Sequence, residues 1–302
     1  MSLVVTGTIG IDSIYTPHGH AERVLGGSAT YFAAAASFYG PVRLVAAVGD
    51  DLPPPFRDTL HHFKGVDTRG LHVRSGSKTF AWGGRYLTNM NSRETLFTEL
   101  GVLAEPPPPV PAEFRDSKVV FLANTHPGVQ RAMLDNFPQR TLAVADTMDL
   151  WINTAKAELL TLLRVVDGLV LNYDEAELLT GVSNSVTAAR RILEMGPKFV
   201  VVKKGEHGCL LAHREGLAAL PAYPSERVID PTGAGDSFAG GMMGELARSN
   251  TPGAFQSVRA ALAHGTVIAS FTIEEFSLGR LASLTRAEVD QRYQQYAAMV
   301  RI

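Results

Sequence analysis

Cysteine is nearly absent from this sequence, and neither sign of charge is in clear excess. The single cysteine, Cys209, excludes an intrachain disulfide and a metal site built from several cysteines, and it suits a reducing cytoplasm. Because Cys209 lies in an apolar run, we expect a buried structural thiol. The 28 basic and 30 acidic residues leave a net charge of −2, so no electrostatic footprint favours nucleic acid or an anionic membrane. Small molecules are the expected partners.

Long hydrophobic segments are lacking too. The N-terminal stretch MSLVVTGTIGID has no basic leader, and its apolar run is too short for a signal peptide or a bilayer span. We therefore expect a cytoplasmic protein. The 302 residues can bury one sizeable core, and we expect a single α/β domain over residues 1–302.

Short apolar runs rich in β-branched residues alternate with segments of helical spacing. The runs are continuous, which is typical of strands buried on both faces of a parallel sheet. They are LVVTG, VRLVAAVG, KVVFLAN, TLAVAD, GLVLN and KFVVVKKG, with helical segments such as SATYFAAAASFYG and VTAARRILEMG between them. This alternation predicts a doubly wound, mainly parallel α/β architecture.

Two segments, 11–25 and 72–101, interrupt the alternation. Both are rich in threonine, arginine, aromatic and turn residues and lack a helical period, and TNMNSRE at 88–94 suits a hairpin turn. They predict a small β layer that projects from the α/β body. The exposed edge of such a layer suits homodimerisation.

Four side chains of the second segment stand out: Phe80, Trp82, Arg85 and Tyr86. Aromatic residues in a layer over a cleft can stack on a nucleobase or a sugar face. Alternating aromatics in a hairpin also form the core of the layer or a dimer seam, and both interpretations stay open.

The stretch DPTGAGDSFAGG at 230–241 places glycines beside a carboxylate, at the start of a segment with helical spacing. Gly233, Ala234 and Gly235 can present their backbone N–H groups close together, and the helix dipole adds to their attraction for an anion. Asp236 would lie beside that anion. The arrangement suits phosphoryl transfer, in which the carboxylate takes a proton from a hydroxyl while the amides hold the developing charge. A glycine turn that binds nothing is the alternative.

DPTGAGDSF resembles the C-terminal signature D-T-x-G-A-G-D-x-F of the ribokinase-like, or PfkB, family of carbohydrate and nucleoside kinases, with proline in the second position. The resemblance implies a three-layer α/β/α sandwich with a projecting β lid, and ATP and Mg²⁺ at the site. It implies Asp236 as the catalytic base and the amides of 233–235 as the anion hole. It also implies a monovalent cation such as K⁺ near Asp230 and Thr232.

Two N-terminal stretches are similar to further family signatures. LGGSATYFAAAASFYG at 25–40 has the glycine pair followed by an alanine-rich helix, and GTIGID matches an opening whose aspartate accepts hydrogen bonds from substrate hydroxyls. The resemblance assigns Asp12, Gly26 and Gly27 to substrate binding. Tyr31 joins them, but it stands where many members have asparagine. GTIG lacks the third glycine of a dinucleotide-binding fingerprint, which argues against a Rossmann oxidoreductase.

Mid-chain, LNYDEAELLTG at 171–181 is similar to the family's N-x-x-E segment. The resemblance assigns Asn172 to the nucleotide site and Glu175 to Mg²⁺, held through water because magnesium sheds its hydration reluctantly. A helix start with acidic residues near its positive pole is the alternative. ADTMDLW at 145–151 looks like a variant of D-x-N-x-R-x-x-W that keeps Asp146 and Trp151 but lacks the arginine.

VVVKKGEHGCLL at 200–211 is similar to the family's strand and turn beside the nucleotide, which assigns Lys203, Gly205 and Gly208 to nucleotide binding. Lys203 and Lys204 alternate along a strand, so we expect only one to face the nucleotide. AALAHGTVIASF at 260–271 fits the helix that closes over adenine. There His264 either borders the base or packs as an ordinary histidine.

The leading functional prediction is an ATP-dependent kinase that phosphorylates an alcohol of a sugar or polyol. The alternative is the same chemistry on a nucleoside such as adenosine or cytidine, which Tyr31 and the lid aromatics support. A noncatalytic nucleotide or sugar sensor is the third hypothesis. The intact Asp236, anion turn and Asn172–Glu175 pair argue against it.

Overall fold

The computed structural model describes residues 1–301, which contain thirteen strands. They are β1 (Leu3–Thr6), β2 (Gly10–Thr16), β3 (Gly19–Gly26), β4 (Val42–Gly49), β5 (Val66–Arg74), β6 (Phe80–Tyr86), β7 (Arg93–Glu99), β8 (Val119–Leu122), β9 (Leu142–Asp146), β10 (Gly168–Asn172), β11 (Phe199–Lys203), β12 (Cys209–His213) and β13 (Gly216–Leu220). Nine form a central sheet in the order β13-β12-β11-β10-β9-β8-β1-β4-β5. The strands from β5 to β11 in this order are parallel, and β12 pairs antiparallel with both β11 and β13.

Helices cover both faces of this sheet, because the strands are apolar on both sides. They are α1 (Ser28–Ala36), α2 (Pro54–His62), α3 (Pro127–Leu134), α4 (Asp149–Thr154), α5 (Lys156–Leu163), α6 (Tyr173–Thr180), α7 (Ser185–Glu194), α8 (Ala234–Leu246), α9 (Phe255–Thr272), α10 (Gly279–Ser283) and α11 (Arg286–Val300). Leu3 and Val5 pack with α1, α8 and α9, whereas Val4 packs with α3, α5 and α7. The predicted three-layer sandwich is confirmed.

Helix α8 sits close to its neighbours because its glycines remove side-chain bulk. A Cβ on Gly240 would lie 2.5 Å from the carbonyl oxygen of Phe32 in α1, and one on Gly241 would lie 2.8 Å from the carbonyl oxygen of His264 in α9. This packing holds the N-terminus of α8, where DPTGAGD lies, against the end of the sheet.

The second sheet has the order β3-β2-β6-β7 and forms the predicted β lid. Two antiparallel hairpins, β2–β3 and β6–β7, are joined by parallel pairing of β2 with β6. The second hairpin starts later than expected: residues 72–74 belong to β5, where Val73 pairs with Val48 of the central sheet. Homodimerisation through this lid stays a prediction.

The lone thiol of Cys209 is buried at the start of β12, as predicted, with 3% of the residue exposed. Burial raises the pKa of this thiol to about 12. A thiol held neutral in this way is a poor nucleophile, which fits a structural role. Within residues 1–301, no helix combines the length and hydropathy that crossing a bilayer requires.

Candidate active site

A cleft of about 1020 Å³ lies between the carboxyl ends of the parallel strands and the lid. This is the edge at which ligands bind in doubly wound sheets. Twelve of the sixteen residues to which the sequence assigned a catalytic, binding or metal role line it: Asp12, Gly27, Tyr31, Asn172, Glu175, Lys203, Gly205, Thr232, Gly233, Ala234, Gly235 and Asp236. The tertiary structure therefore brings segments from both ends of the chain to one cavity.

The glycine turn forms the N-terminus of α8. Gly233 is the residue before the helix and adopts a left-handed conformation with φ 74°, which glycine tolerates best. The Ala234 N–H donates to the carbonyl of Pro231 at 3.2 Å, so an anion would have to share or open this turn bond. Asp236 lies in the first helical turn. Burial and the neighbouring Asp146 raise the pKa of the Asp236 carboxyl to about 7, although Lys203 and Arg93 oppose the rise.

Asp12 comes from β2 and points at the glycine pair. A Cβ on Gly26 would lie 1.9 Å from Asp12 Oδ2, so Gly26 makes room for this carboxylate instead of lining the cleft. Gly27 has φ 96°, and a Cβ there would lie 2.5 Å from the carbonyl oxygen of Thr8. Burial, with Asp230 and Asp236 nearby, raises the pKa of Asp12 to about 7. Its Oδ1 is buried and has no hydrogen-bond partner among residues 1–301.

Tyr31 forms the floor of the cleft beneath the glycine turn, with 1% of the residue exposed. Its hydroxyl is buried and has no hydrogen-bond partner in the described part of the chain. Burial, with Asp230 and Asp12 close by, raises the pKa of the phenol well above its usual value. The hydroxyl is therefore a neutral donor that faces carboxylates.

Lys203 ends β11, beside Asn172 of β10 in the strand register. Its Nζ lies 3.8 Å from Asp146 Oδ1 and only 2.8 Å from where a Cβ on Gly235 would be. Lys204 also lines the cleft, and the expectation that only one of the two lysines faces the nucleotide stays a prediction. The strand has ended there: Lys204 has φ −127° and ψ 28°, so the alternation of an extended chain no longer applies.

Asn172 and Glu175 form a capping box at the start of α6. Asn172 Oδ1 accepts from the Glu175 N–H at 2.8 Å, and Glu175 Oε2 accepts from the Asn172 N–H at 2.7 Å. Burial raises the pKa of Glu175 to about 7. The capping box uses Oε2, so water-bound Mg²⁺ would interact with Oε1. Within residues 1–301, no three His, Cys, Asp or Glu side chains form a metal-binding group.

The turn after β11 contains the two remaining glycines of the nucleotide prediction. Gly205 lines the cleft with φ 55°, whereas Gly208 lies outside the lining that the described residues form. A Cβ on Gly208 would lie 2.0 Å from the carbonyl oxygen of Leu220, so this glycine allows the β11–β12 turn to pack against β13. From the lid, Asn91 Nδ2 donates to Glu206 Oε1 at 3.1 Å, which joins the hairpin tip to this turn.

Asp230 and Thr232 are the two residues near which a monovalent cation was predicted. Asp230 is fully buried, and its Oδ1 accepts from the Thr232 N–H at 2.8 Å. Its Oδ2 has no hydrogen-bond partner from residues 1–301, and burial raises the pKa of this carboxyl to about 6. A buried carboxylate oxygen without a donor fits a cation such as K⁺. Thr232 Oγ1 donates to Tyr86 Oη of the lid at 3.2 Å.

His264 lies outside the lining of the cleft as residues 1–301 form it. Its ring stacks on Tyr293 with centroids 4.2 Å apart and meets the edge of Tyr39 at 5.3 Å. Burial lowers the pKa of His264 to about 4. These contacts give His264 the packing role that the sequence left open, and they leave the adenine role without structural support.

The lid contributes aromatic side chains from one face of β6, because residues two apart point to the same side of a strand. Phe80, Trp82 and Tyr86 line the cleft. Arg85 alternates with them and faces away. Sequence reasoning missed Arg93, which lines the cleft from β7 with its guanidinium 5.6 Å from the centre of the Trp82 ring. Its position within the predicted hairpin turn, TNMNSRE at 88–94, was the available signal.

Comparisons with known proteins agree with this fold. The model of the pfkB family of carbohydrate kinases matches residues 2–284. The cytidine kinase of Thermococcus kodakarensis is 30% identical over 260 residues, covering 82% of this chain and 89% of that protein. The nucleoside kinase of Burkholderia thailandensis, solved with inosine, has a TM-score of 0.78 at 20% identity and covers 98% of this chain and 99% of that chain. An Escherichia coli protein solved with ATP and Mg²⁺ has a TM-score of 0.75 at 18% identity, covering 97% of this chain and 99% of that chain.

Proposed function

Because the chain belongs to the pfkB family of carbohydrate kinases, we propose that it transfers the γ-phosphoryl group of ATP to a hydroxyl of a nucleoside. The main observation in support is one cavity that combines the Asp236 carboxylate, the N-terminus of α8 and an aromatic lid surface. Two similar proteins are a cytidine kinase and a nucleoside kinase. They favour the nucleoside acceptor over the sugar or polyol that led the sequence-based prediction.

In the proposed reaction Asp236 is the general base. It takes the proton of the acceptor hydroxyl while that oxygen attacks the γ-phosphorus of ATP and the bond to the ADP oxygen breaks. The amides of Gly233, Ala234 and Gly235, together with the dipole of α8, stabilise the charge on the transferring group. A carboxylate in a partly buried site is poorly solvated, which makes it a stronger base than one in water.

The nucleotide would extend from the glycine turn toward Asn172 and Gly205, which line the same cleft. Glu175 would hold Mg²⁺ through water, and the ion would neutralise charge on the ATP phosphates. Asp230 and Thr232 would hold a monovalent cation beneath the turn, where the unpaired Asp230 Oδ2 is buried.

The acceptor would lie between Asp12 and the lid. Asp12 Oδ1 has no partner among residues 1–301 and is a suitable acceptor for ribose hydroxyls. Trp82 of the lid and Trp151 of α4 offer ring surface to a nucleobase. The Trp151 Nε1–H donates to Asn124 Oδ1 at 2.9 Å, which fixes that ring in the cleft wall.

The lid would exclude water, so that the phosphoryl group reaches the acceptor and not solvent. Two of the hydrogen bonds that join it to the α/β body involve the β6–β7 hairpin. They are Tyr86 with Thr232 at 3.2 Å and Asn91 with Glu206 at 3.1 Å. Opening the lid would break both bonds.

A coupled assay of ADP release over nucleosides, sugars and polyols tests the proposal. We expect saturable turnover with at least one nucleoside, at a kcat/KM about tenfold or more above that of any free sugar. Turnover confined to sugars or polyols would contradict the nucleoside acceptor but keep the kinase. Tight ATP binding without turnover of any acceptor would favour a sensor.

A further inference from the structure

The side chain of Lys203 is mostly buried although the residue ends strand β11. Its side chain is only 17% exposed, and its Nζ lies against the backbone of Gly235, one of the three anion-hole residues. The 2.8 Å to the position of a Gly235 Cβ means that any larger residue there would meet the ammonium. The lysine therefore faces the site where the transferring group would bind.

Several charged groups face this ammonium from different elements of the fold. Burial alone would lower the pKa of Lys203, but nearby carboxylates raise it above the usual value. The lysine is therefore charged at neutral pH. The groups around Lys203 and Asp236 are Asp146 of β9, Glu175 of α6, Asp12 of β2 and Arg93 of β7.

We propose that Lys203 is a catalytic residue whose ammonium contacts the γ-phosphoryl group during its transfer, with Asp146 as the residue that positions it. This inference rests on the proposed phosphoryl transfer, and it goes beyond the nucleotide contact that the sequence suggested. A lysine that only anchored the nucleotide would be expected to bind ADP as well as ATP. The contact with Gly235 instead puts Nζ beside the proposed anion hole, where the group that is lost when ATP becomes ADP would bind.

The distance to Asp146 supports this role. At 3.8 Å, Nζ and Oδ1 are at the outer limit of an ion pair, so hydrogen-bonding capacity of the ammonium remains for a phosphoryl oxygen. During transfer Lys203 keeps its three protons and donates hydrogen bonds. The acceptor proton goes to Asp236, the new bond forms between the acceptor oxygen and phosphorus, and the broken bond leaves its electron pair on ADP.

Lys203 also acts on the base. Its positive charge lowers the pKa of Asp236, against burial and Asp146, which raise it. Loss of the ammonium should move the acid limb of the pH–rate profile upward by about one pH unit. Loss of a lysine that does not act on the base, such as Lys198, would not move that limb.

The decisive experiment compares Lys203→Met with Lys198→Met. Lys198 precedes the other end of β11 and forms its own ion pair with Asp167 at 2.8 Å, with 59% of its side chain exposed. Both tryptophans of the chain line the cleft, so their fluorescence reports ligand binding. ADP and Mg²⁺ are titrated with and without aluminium fluoride, which mimics the transferring group and needs no acceptor.

We expect Lys203→Met to bind ADP within about threefold of the parent protein but to lose about 10- to 100-fold of the tightening that aluminium fluoride produces. Lys198→Met should behave like the parent. Equal tightening in Lys203→Met and the parent would overturn the proposal. The proposal would also be overturned if Lys203→Met lost as much affinity for ADP alone as for ADP with aluminium fluoride, because Lys203 would then be a nucleotide anchor.

Two controls keep the outcome interpretable. Thermal unfolding shows whether Lys203→Met folds, and Lys203→Arg retains a cation at the site if the uncharged variant does not fold. With Lys203→Arg, we expect aluminium fluoride to tighten ADP binding in part. If Lys203→Arg and the parent protein both bind ADP fully and aluminium fluoride tightens binding in neither, the role is overturned. Failure of the nucleoside panel does not affect this titration, so the two proposals fail separately.

Discussion

The aromatic ring of Tyr31 lies directly against Gly233, so that a Cβ built on Gly233 would come within 2.3 Å of Tyr31 Cγ. Tyr31 belongs to the first turns of α1 and Gly233 caps α8, so this contact joins the two glycine-rich segments of the sequence. The fully buried ring packs against the turn, whose residues 233–235 line the cleft.

This contact predicts a large functional effect for Gly233→Ala. The new methyl group would meet the Tyr31 ring and shift the anion-hole amides, and we expect kcat/KM to fall about 100-fold or more. Gly181→Ala is the matched control, because Gly181 has a similar φ of 71° but nothing within 4 Å of the added Cβ. Both variants carry backbone strain of roughly 1–2 kcal/mol, visible in thermal unfolding, but only Gly233→Ala should lose turnover. Equal activity of Gly233→Ala and Gly181→Ala would show that the contact with Tyr31 does not control the geometry of the turn.

Removal of the proposed base is the second prediction. Asp236→Asn keeps the size of the side chain but cannot take a proton, so kcat should fall by about a thousandfold while ATP binding survives. Steady-state turnover and a fluorescence titration with ATP measure the two effects. Near-normal turnover by Asp236→Asn would remove this residue from the mechanism.

The pH dependence follows from the same carboxylate. Burial raises the pKa of Asp236 to about 7, and only the ionised form is a base, so activity should be lost as the pH falls through that value. With ATP saturating, we expect the rate to fall about tenfold per pH unit on the acid side. A profile between pH 5.5 and 8.5 measures this, and a rate that stays level down to pH 5.5 would contradict it.

Glu175 has both a structural and a proposed metal role, and Glu175→Gln separates them. Glutamine preserves the capping box with Asn172, so α6 should keep its stability. The lost charge should raise the Mg²⁺ concentration for half-maximal activity, by about fivefold or more. Glu177→Gln, on the same helix, is the control. An unchanged magnesium titration would count against the metal role.

Much of the fold follows from local patterns. The six apolar runs that the sequence singled out became β1, β4, β8, β9, β10 and β11, because a strand covered on both faces must be apolar at every position. The pattern of apolar runs did not predict the edge strands β5 and β13. One side of each lacks a neighbouring strand, so polar residues such as those of VDTRGLHVR are tolerated there.

Short-range sequence patterns account for the glycine turn, its neighbouring Asp236 and the Asn172–Glu175 cap, since each is a contact among residues a few positions apart. Long-range packing of the chain places Lys203 against Gly235 beside Asp146, brings Arg93 into the cleft and packs His264 between two tyrosines. These contacts depend on the order of the strands, the exact length of the lid hairpin and the close approach of α8 to its neighbours. The spacing of residues along the chain does not reveal which distant segments come into contact.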